Sequence, residues 1–175
     1  MKTAVVLRHA ERQDRSDNAS HLSPLGIEQA RKARSGFERF DMVVTSPLPR
    51  AVETAVAMGF AVTRTHPGIQ EIGERILDHV GWNEGYTAWA AARHEVPVVH
   101  SYVEYVGSLL GDWLEELPDG GSLLVIAHGG IVEALATGLC GDASWTTPGA
   151  SAGYAEGFVA LLDADHAPRL SPITA

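Results

Sequence analysis

Alternation between short apolar runs and helix-period stretches constrains this chain more than any other feature. Residues 3–8 are apolar and partly β-branched, as a buried strand requires, and the run stops at Arg8-His9. Residues 11–21 are rich in Arg, Asp, Ser and Asn and predict a loop. Ser23-Pro24 then offers an N-cap and a first-turn proline, with Leu25, Ile27, Ala30, Ala33 and Phe37 as the expected apolar face of a helix. Residues 42–45 predict a second strand, followed by Ser46-Pro47 and a helix through Met58 to Gly59; residues 61–65 predict a further short strand. The stretch 67–98 shows no sustained period. Beyond it, Tyr102, Val106, Leu109, Leu110, Trp113 and Leu117 recur at helical spacing and predict a helix over 99–117. Pro118-Asp119-Gly120-Gly121 marks a turn, 122–127 a buried strand ending at His128-Gly129-Gly130, and 131–139 a helix. An outer strand over 153–163 and a loose tail over 166–175 complete the expectation.

Strands alternating with helices predict an α/β fold: a three-layer sandwich with a central, mainly parallel sheet and helices on both faces. The expected organisation is one catalytic domain over 1–165 and a C-terminal tail over 166–175. Ligands in such sheets sit beyond the carboxyl ends of the strands. Three of the expected strands end there in polar residues: Arg8-His9, the segment from Ser46 to Arg50, and His128-Gly129-Gly130.

Those strand ends supply two arginines and two histidines. Arginine keeps its charge and presents N–H donors in a fork that matches phosphate oxygens. A histidine can attack phosphorus to give a covalent intermediate that water later cleaves. Phosphoryl transfer depends above all on positioning and charge stabilisation, so the set suffices in kind. An acid for the leaving oxygen is still needed, and Glu71 is the best candidate in an irregular segment; Glu74, Glu11 and Asp14 are the substitutes.

The motifs resemble those of the histidine phosphatase superfamily, the phosphoglycerate mutase-like enzymes. Leu7-Arg8-His9-Ala10-Glu11 is similar to the family's Arg-His-Gly signature, with Ala10 where Gly is usual. Residues 22–30 (LSPLGIEQA), 45–55 (TSPLPRAVETA) and 125–130 (VIAHGG) resemble the following helix start, the second arginine motif and the second histidine motif, in family order. The resemblance implies His9 as phosphorylated nucleophile, Arg8, Arg50 and His128 as holders of the phosphoryl oxygens, and Glu71 as general acid. It adds the Gly129 amide as a further donor and implies no metal and no cofactor. Residues 12–18 contain no Trp-Asn and long inserts are missing, which favours a small phosphatase over a glycolytic mutase. The expected reaction is hydrolysis of a phosphomonoester or a phosphohistidine. The alternatives are mutase-type transfer and a non-catalytic phosphate-binding module.

Each residue also has a plainer reading. Arg8-His9 can be a surface pair, Arg50 an arginine paired with Glu53 or Glu38, His128 a structural histidine, and Glu71 a solvated loop residue. The remaining histidines read as surface or loop residues, and Cys140 as an inert buried thiol. A zinc site from His9, His128 and Glu71 is opposed by the neighbouring arginines and lacks a supporting spacing. Trp82, Tyr86 and Trp89 read as core or as a roof over the site. Arg12, Arg15, Arg75 and Arg93 read as solvated charges or as readers of a second anionic group.

A net charge of −9 argues against nucleic acid as a partner and leaves a small phosphorylated substrate or a phosphoprotein. No apolar run suits a membrane span or a signal peptide, and a lone cysteine forms no internal disulfide, so the expected location is the cytoplasm. The substrate and the oligomeric state are not encoded in any motif.

Overall fold

The structure is a computed structural model that describes residues 1–140, 150–163 and 166–174. Its strands are β1 (Lys2–Arg8), β2 (Met42–Thr45), β3 (Arg64–Thr65), β4 (Ser122–Ala127), β5 (Gly157–Asp163) and β6 (His166–Ile173). Its helices are α1 (Pro24–Ala33), α2 (Pro49–Ala57), α3 (Glu74–Leu77), α4 (Tyr86–Glu95), α5 (Pro97–Glu115) and α6 (Ile131–Cys140). The six strands form one sheet in the order β3-β2-β4-β1-β5-β6. The first four in that order run parallel, and β5 and β6 are antiparallel additions beside β1.

The period of two along each strand divides the core. Ala4, Val6, Leu123 and Val125 face one side, where they pack with residues of α4, α5 and α6. Val5, Leu7, Leu124 and Ile126 face the other, against residues of α1 and α2. Every one of these strand residues is fully buried, which explains why β1 and β4 read as continuous apolar runs. The result is the expected three-layer α/β sandwich.

Four details depart from expectation. Residues 166–173 are not a tail: they pair with β5 as the edge strand, so β5 lies inside the sheet. Pro168 and Pro172 hide this strand in the sequence, because proline lacks a ladder donor and is tolerated only at edges. The strand expected over 153–163 begins at Gly157, and the residues before it form a loop over the site. The irregular stretch contains α3, α4 and a 3₁₀ turn at Pro67–Ile69; α3 and the 3₁₀ turn are too short to show a period, and the alanines of α4 leave it no distinct apolar face.

Helix α1 also faces the core differently. Ser23 caps it, its hydroxyl accepting the Gly26 amide at 2.9 Å, but Gly26 and Ala30 are buried while Leu25 stays 53% exposed. A Cβ on Gly26 would lie 2.0 Å from the Glu11 carbonyl oxygen. The helix therefore docks through its smallest residues, directly behind the segment that carries His9. No described helix is long and apolar enough to cross a membrane.

Candidate functional site

His9 leaves β1 at its carboxyl end, with its amide donating to the Ala127 carbonyl of β4 at 2.9 Å. Ala10 is fully buried, and its amide donates to Thr54 Oγ1 at 3.0 Å. Thr54 in turn donates to the Arg50 carbonyl at 2.6 Å, which locks α2 to the His9 segment. The only non-glycine residue at positive φ among those described is Ala155, so Ala10 adopts a backbone open to any residue and replaces the family glycine without strain.

The His9 ring is 4% exposed. Its Nδ1 lies 2.7 Å from the Ala10 carbonyl, which can only accept, so Nδ1 carries the proton and Nε2 keeps its lone pair. Arg50 Nε donates to that Nε2 at 3.2 Å. Burial first, then the charges of Arg50, Arg8 and Arg12, push His9 down to about 3 against the Ala10 hydrogen bond. The imidazole is neutral at physiological pH.

Arg50, in the first turn of α2, is 5% exposed, so it is not the surface ion pair that Glu53 offers. Glu53 instead bonds His21 and the Leu22 amide. Burial, then Arg12, lowers Arg50 to about 10, and it stays protonated at neutral pH. Its two terminal nitrogens donate to the backbone and side-chain carbonyls of Asn18, the latter at 3.0 Å. Asn18 Nδ2 then donates to Glu71 Oε1 at 2.7 Å.

His128 sits where β4 ends, its ring centroid 5.0 Å from that of His9. Its Nε2 is 2.8 Å from Ser46 Oγ, while Nδ1 is buried with no partner. Burial first, then His9 and Arg50, hold its pKa well below the ordinary imidazole value. Arg8 NH1 donates to the Ala152 carbonyl at 3.0 Å, and its guanidinium lies 4.4 Å from the Tyr154 ring centroid and 5.2 Å from that of Trp82. Burial lowers the Arg8 pKa from its usual value. Arg8 Nε and Arg12 Nε are, like His128 Nδ1, buried without a hydrogen-bond partner. Buried donors in that state are costly unless a ligand meets them.

One cavity of about 370 Å³ is lined by all six expected site residues: Arg8, His9, Arg50, Glu71, His128 and Gly129. Glu71 is exposed; Asn18 bridges it to Arg50 by hydrogen bonds, and its charge also acts on Arg50. Gly129 allows Trp82 to approach closely: a Cβ there would meet Trp82 at 3.1 Å. Arg12 also lines the cavity, whereas Arg93 pairs with Glu104 at 2.6 Å elsewhere. Trp82 is the one aromatic of its group at the rim; Trp89 is fully buried core.

The sequence profile of the histidine phosphatase superfamily (branch 1) matches residues 4–152. This chain belongs to that superfamily. No curated protein is a significant match in sequence. Solved structures of the same fold include phosphoserine phosphatase from Entamoeba histolytica in complex with 3-phosphoglyceric acid, 18% identical with a TM-score of 0.71 over 100% of this chain and 98% of that one. The mycobacterial glucosyl-3-phosphoglycerate phosphatase is 21% identical, TM-score 0.64, over 99% and 98% of the two chains. A putative alpha-ribazole-5'-P phosphatase from Escherichia coli is 21% identical, TM-score 0.67, over 99% and 96%.

Within the superfamily frame, three contributors escaped the sequence reading. Ser46 stands inside a recognised motif, but its contact with His128 could not be read there. Asn18 comes from a loop without pattern. Tyr154, whose ring centroid is 5.6 Å from that of His9, comes from a stretch expected as the start of an outer strand, where nothing marked it for the site.

Proposed function

We propose that the protein hydrolyses a phosphomonoester, without a metal, through a phosphohistidine formed on His9. The observation that carries this reading is the His9 tautomer: Nδ1–H is tied to Ala10 and Nε2 holds a lone pair beside a cluster of arginines. In the first step Nε2 attacks phosphorus and the ester P–O bond breaks. Arg50 then gives its Nε–H to a phosphoryl oxygen, and Arg8 and His128 hold the others, stabilising charge where it develops. The Ser46 hydroxyl donates to His128 Nε2 in this scheme, which leaves the proton on Nδ1 as a donor. The Gly129 amide adds another. Glu71 protonates the leaving oxygen as the alcohol departs. In the second step water, losing a proton to the Glu71 carboxylate, attacks the phosphohistidine, and inorganic phosphate leaves with His9 and Glu71 restored.

The arginines supply the positive charge that a metal provides elsewhere and repel a cation from the two histidines. Phosphatases on the same fold support hydrolysis over mutase transfer, and the cavity suits a small phosphorylated molecule or a phosphorylated side chain. A single cysteine fits a reducing compartment, and the cytoplasm is the proposed location. The test is phosphate release from p-nitrophenyl phosphate in excess EDTA by wild type and His9→Ala, with protein quenched in alkaline denaturant and assayed for base-stable, acid-labile phosphohistidine. Activity and phosphohistidine in wild type, both absent in the variant, are expected. Turnover by His9→Ala, or loss of wild-type activity in EDTA, would overturn the scheme.

A further inference from the structure

Glu133 is the buried charged group that the proposed reaction does not use. It lies in the first turn of α6, is fully inaccessible, and sits among apolar residues of the core. Burying a carboxylate is costly unless its oxygens are satisfied. Here Oε2 accepts the Gly130 amide at 2.7 Å, closing the helix start beside Gly129. That bond is the half of a capping box in which the third helical residue reaches back to the cap amide, and an exposed glutamate makes it as well. The other oxygen reaches away from the helix: Oε1 accepts the Ala152 amide, nineteen residues on, at 2.8 Å.

Ala152 is the residue whose carbonyl receives Arg8 NH1 at 3.0 Å. One peptide segment thus hangs from Glu133 at its N–H and carries Arg8 at its carbonyl. The same loop lays Tyr154 over the Arg8 guanidinium and holds Ala155 at φ 58, with its amide donating to the Arg8 carbonyl at 3.1 Å. A left-handed alanine is disfavoured, so this loop keeps its shape where outside contacts impose it. The Gly153 amide donates to Glu156, a bond internal to the loop.

We propose that Glu133 is a positioning residue for the phosphoryl pocket, setting the place of the Arg8 guanidinium through Ala152. This rests on the reading that the pocket binds a phosphoryl group, and it adds a residue that never touches the ligand. Glu133→Gln keeps the size but turns a donor toward one of two amide donors, so the loop loses one anchor.

The experiment is a double-mutant cycle on equilibrium binding of inorganic phosphate, which needs no turnover. Wild type, Glu133→Gln, Arg8→Ala and the double variant are titrated calorimetrically. The expected result is a Kd raised about tenfold by Glu133→Gln in the presence of Arg8, and changed less than about twofold once Arg8 is gone. Equal losses in both backgrounds, or no loss in either, would overturn the proposal. Should Glu133→Gln fail to fold, Glu133→Asp, shorter by one methylene, replaces it in the same cycle with the same criterion. A wild type that binds no phosphate would remove the pocket reading together with this one; a wild type that binds phosphate but gives an additive cycle removes Glu133 alone.

Discussion

Replacing His9 by Gln should make the fold less sensitive to acid, although it removes the proposed nucleophile. His9 is held at about 3 in the folded protein by burial and by Arg50, Arg8 and Arg12. An unfolded histidine titrates near 6.5, so between those values the unfolded chain binds a proton that the folded chain refuses. The sign follows: the penalty is absent above about pH 6.5, grows as pH falls, and is complete near the folded value. Each pH unit inside the window is worth about 1.4 kcal/mol, so a step from pH 7 to pH 5 costs wild type about 2 kcal/mol through His9. Gln keeps a donor for Ala10 and an acceptor for Arg50 and does not titrate, so this part vanishes. Urea unfolding of both proteins at the two pH values reads the difference directly. Equal acid sensitivity would mean that His9 is not buried neutral, and the tautomer argument for the nucleophile would go with it.

Arg50→Ala should lower kcat/KM for p-nitrophenyl phosphate about 100- to 1,000-fold, the cost of one well-placed donor; unchanged kinetics would take Arg50 out of the site. Glu71→Gln should lower kcat/KM, which reports the first step, about 100-fold or more for an alkyl phosphate while barely changing it for p-nitrophenyl phosphate, whose leaving group needs no proton. Equal slowing of both would assign the acid to another group. Gly26→Ala pits about 1 kcal/mol of gained helix propensity against a Cβ forced into backbone. With the Glu11 oxygen 2.0 Å away the clash wins, and thermal unfolding should shift down by several degrees; an upward shift would show that α1 does not press on the His9 segment.

What the chain encodes locally could be read locally. The run of 3–8 must be a strand because its residues bury both faces, and Arg8 and His9 must stand at its end because they are adjacent to it in sequence. Ser23 and Pro24 start a helix by their own chemistry. The convergence of Arg8, His9, Arg50 and His128 was legible for the same reason: parallel strands bring their carboxyl ends to one edge. The helices of 67–98 were not legible, because α3 is too short to show a period and α4, rich in alanine, has no distinct apolar face and is held by packing against α5 and α6. Nor was β6, whose prolines weaken every strand signal while its edge position tolerates them. Asn18, Tyr154 and Glu133 carry no local mark. Asn18 meets Arg50, and Tyr154 and Glu133 reach Arg8 through the loop ahead of β5, only because crossovers return distant segments to the same sheet edge. By itself the sequence determined the strand ends and the residues that crown them; which nitrogen of His9 holds the proton, and what keeps Arg8 in place, were decided by contacts between residues far apart in the chain, where burial and hydrogen bonding act and sequence spacing carries no information.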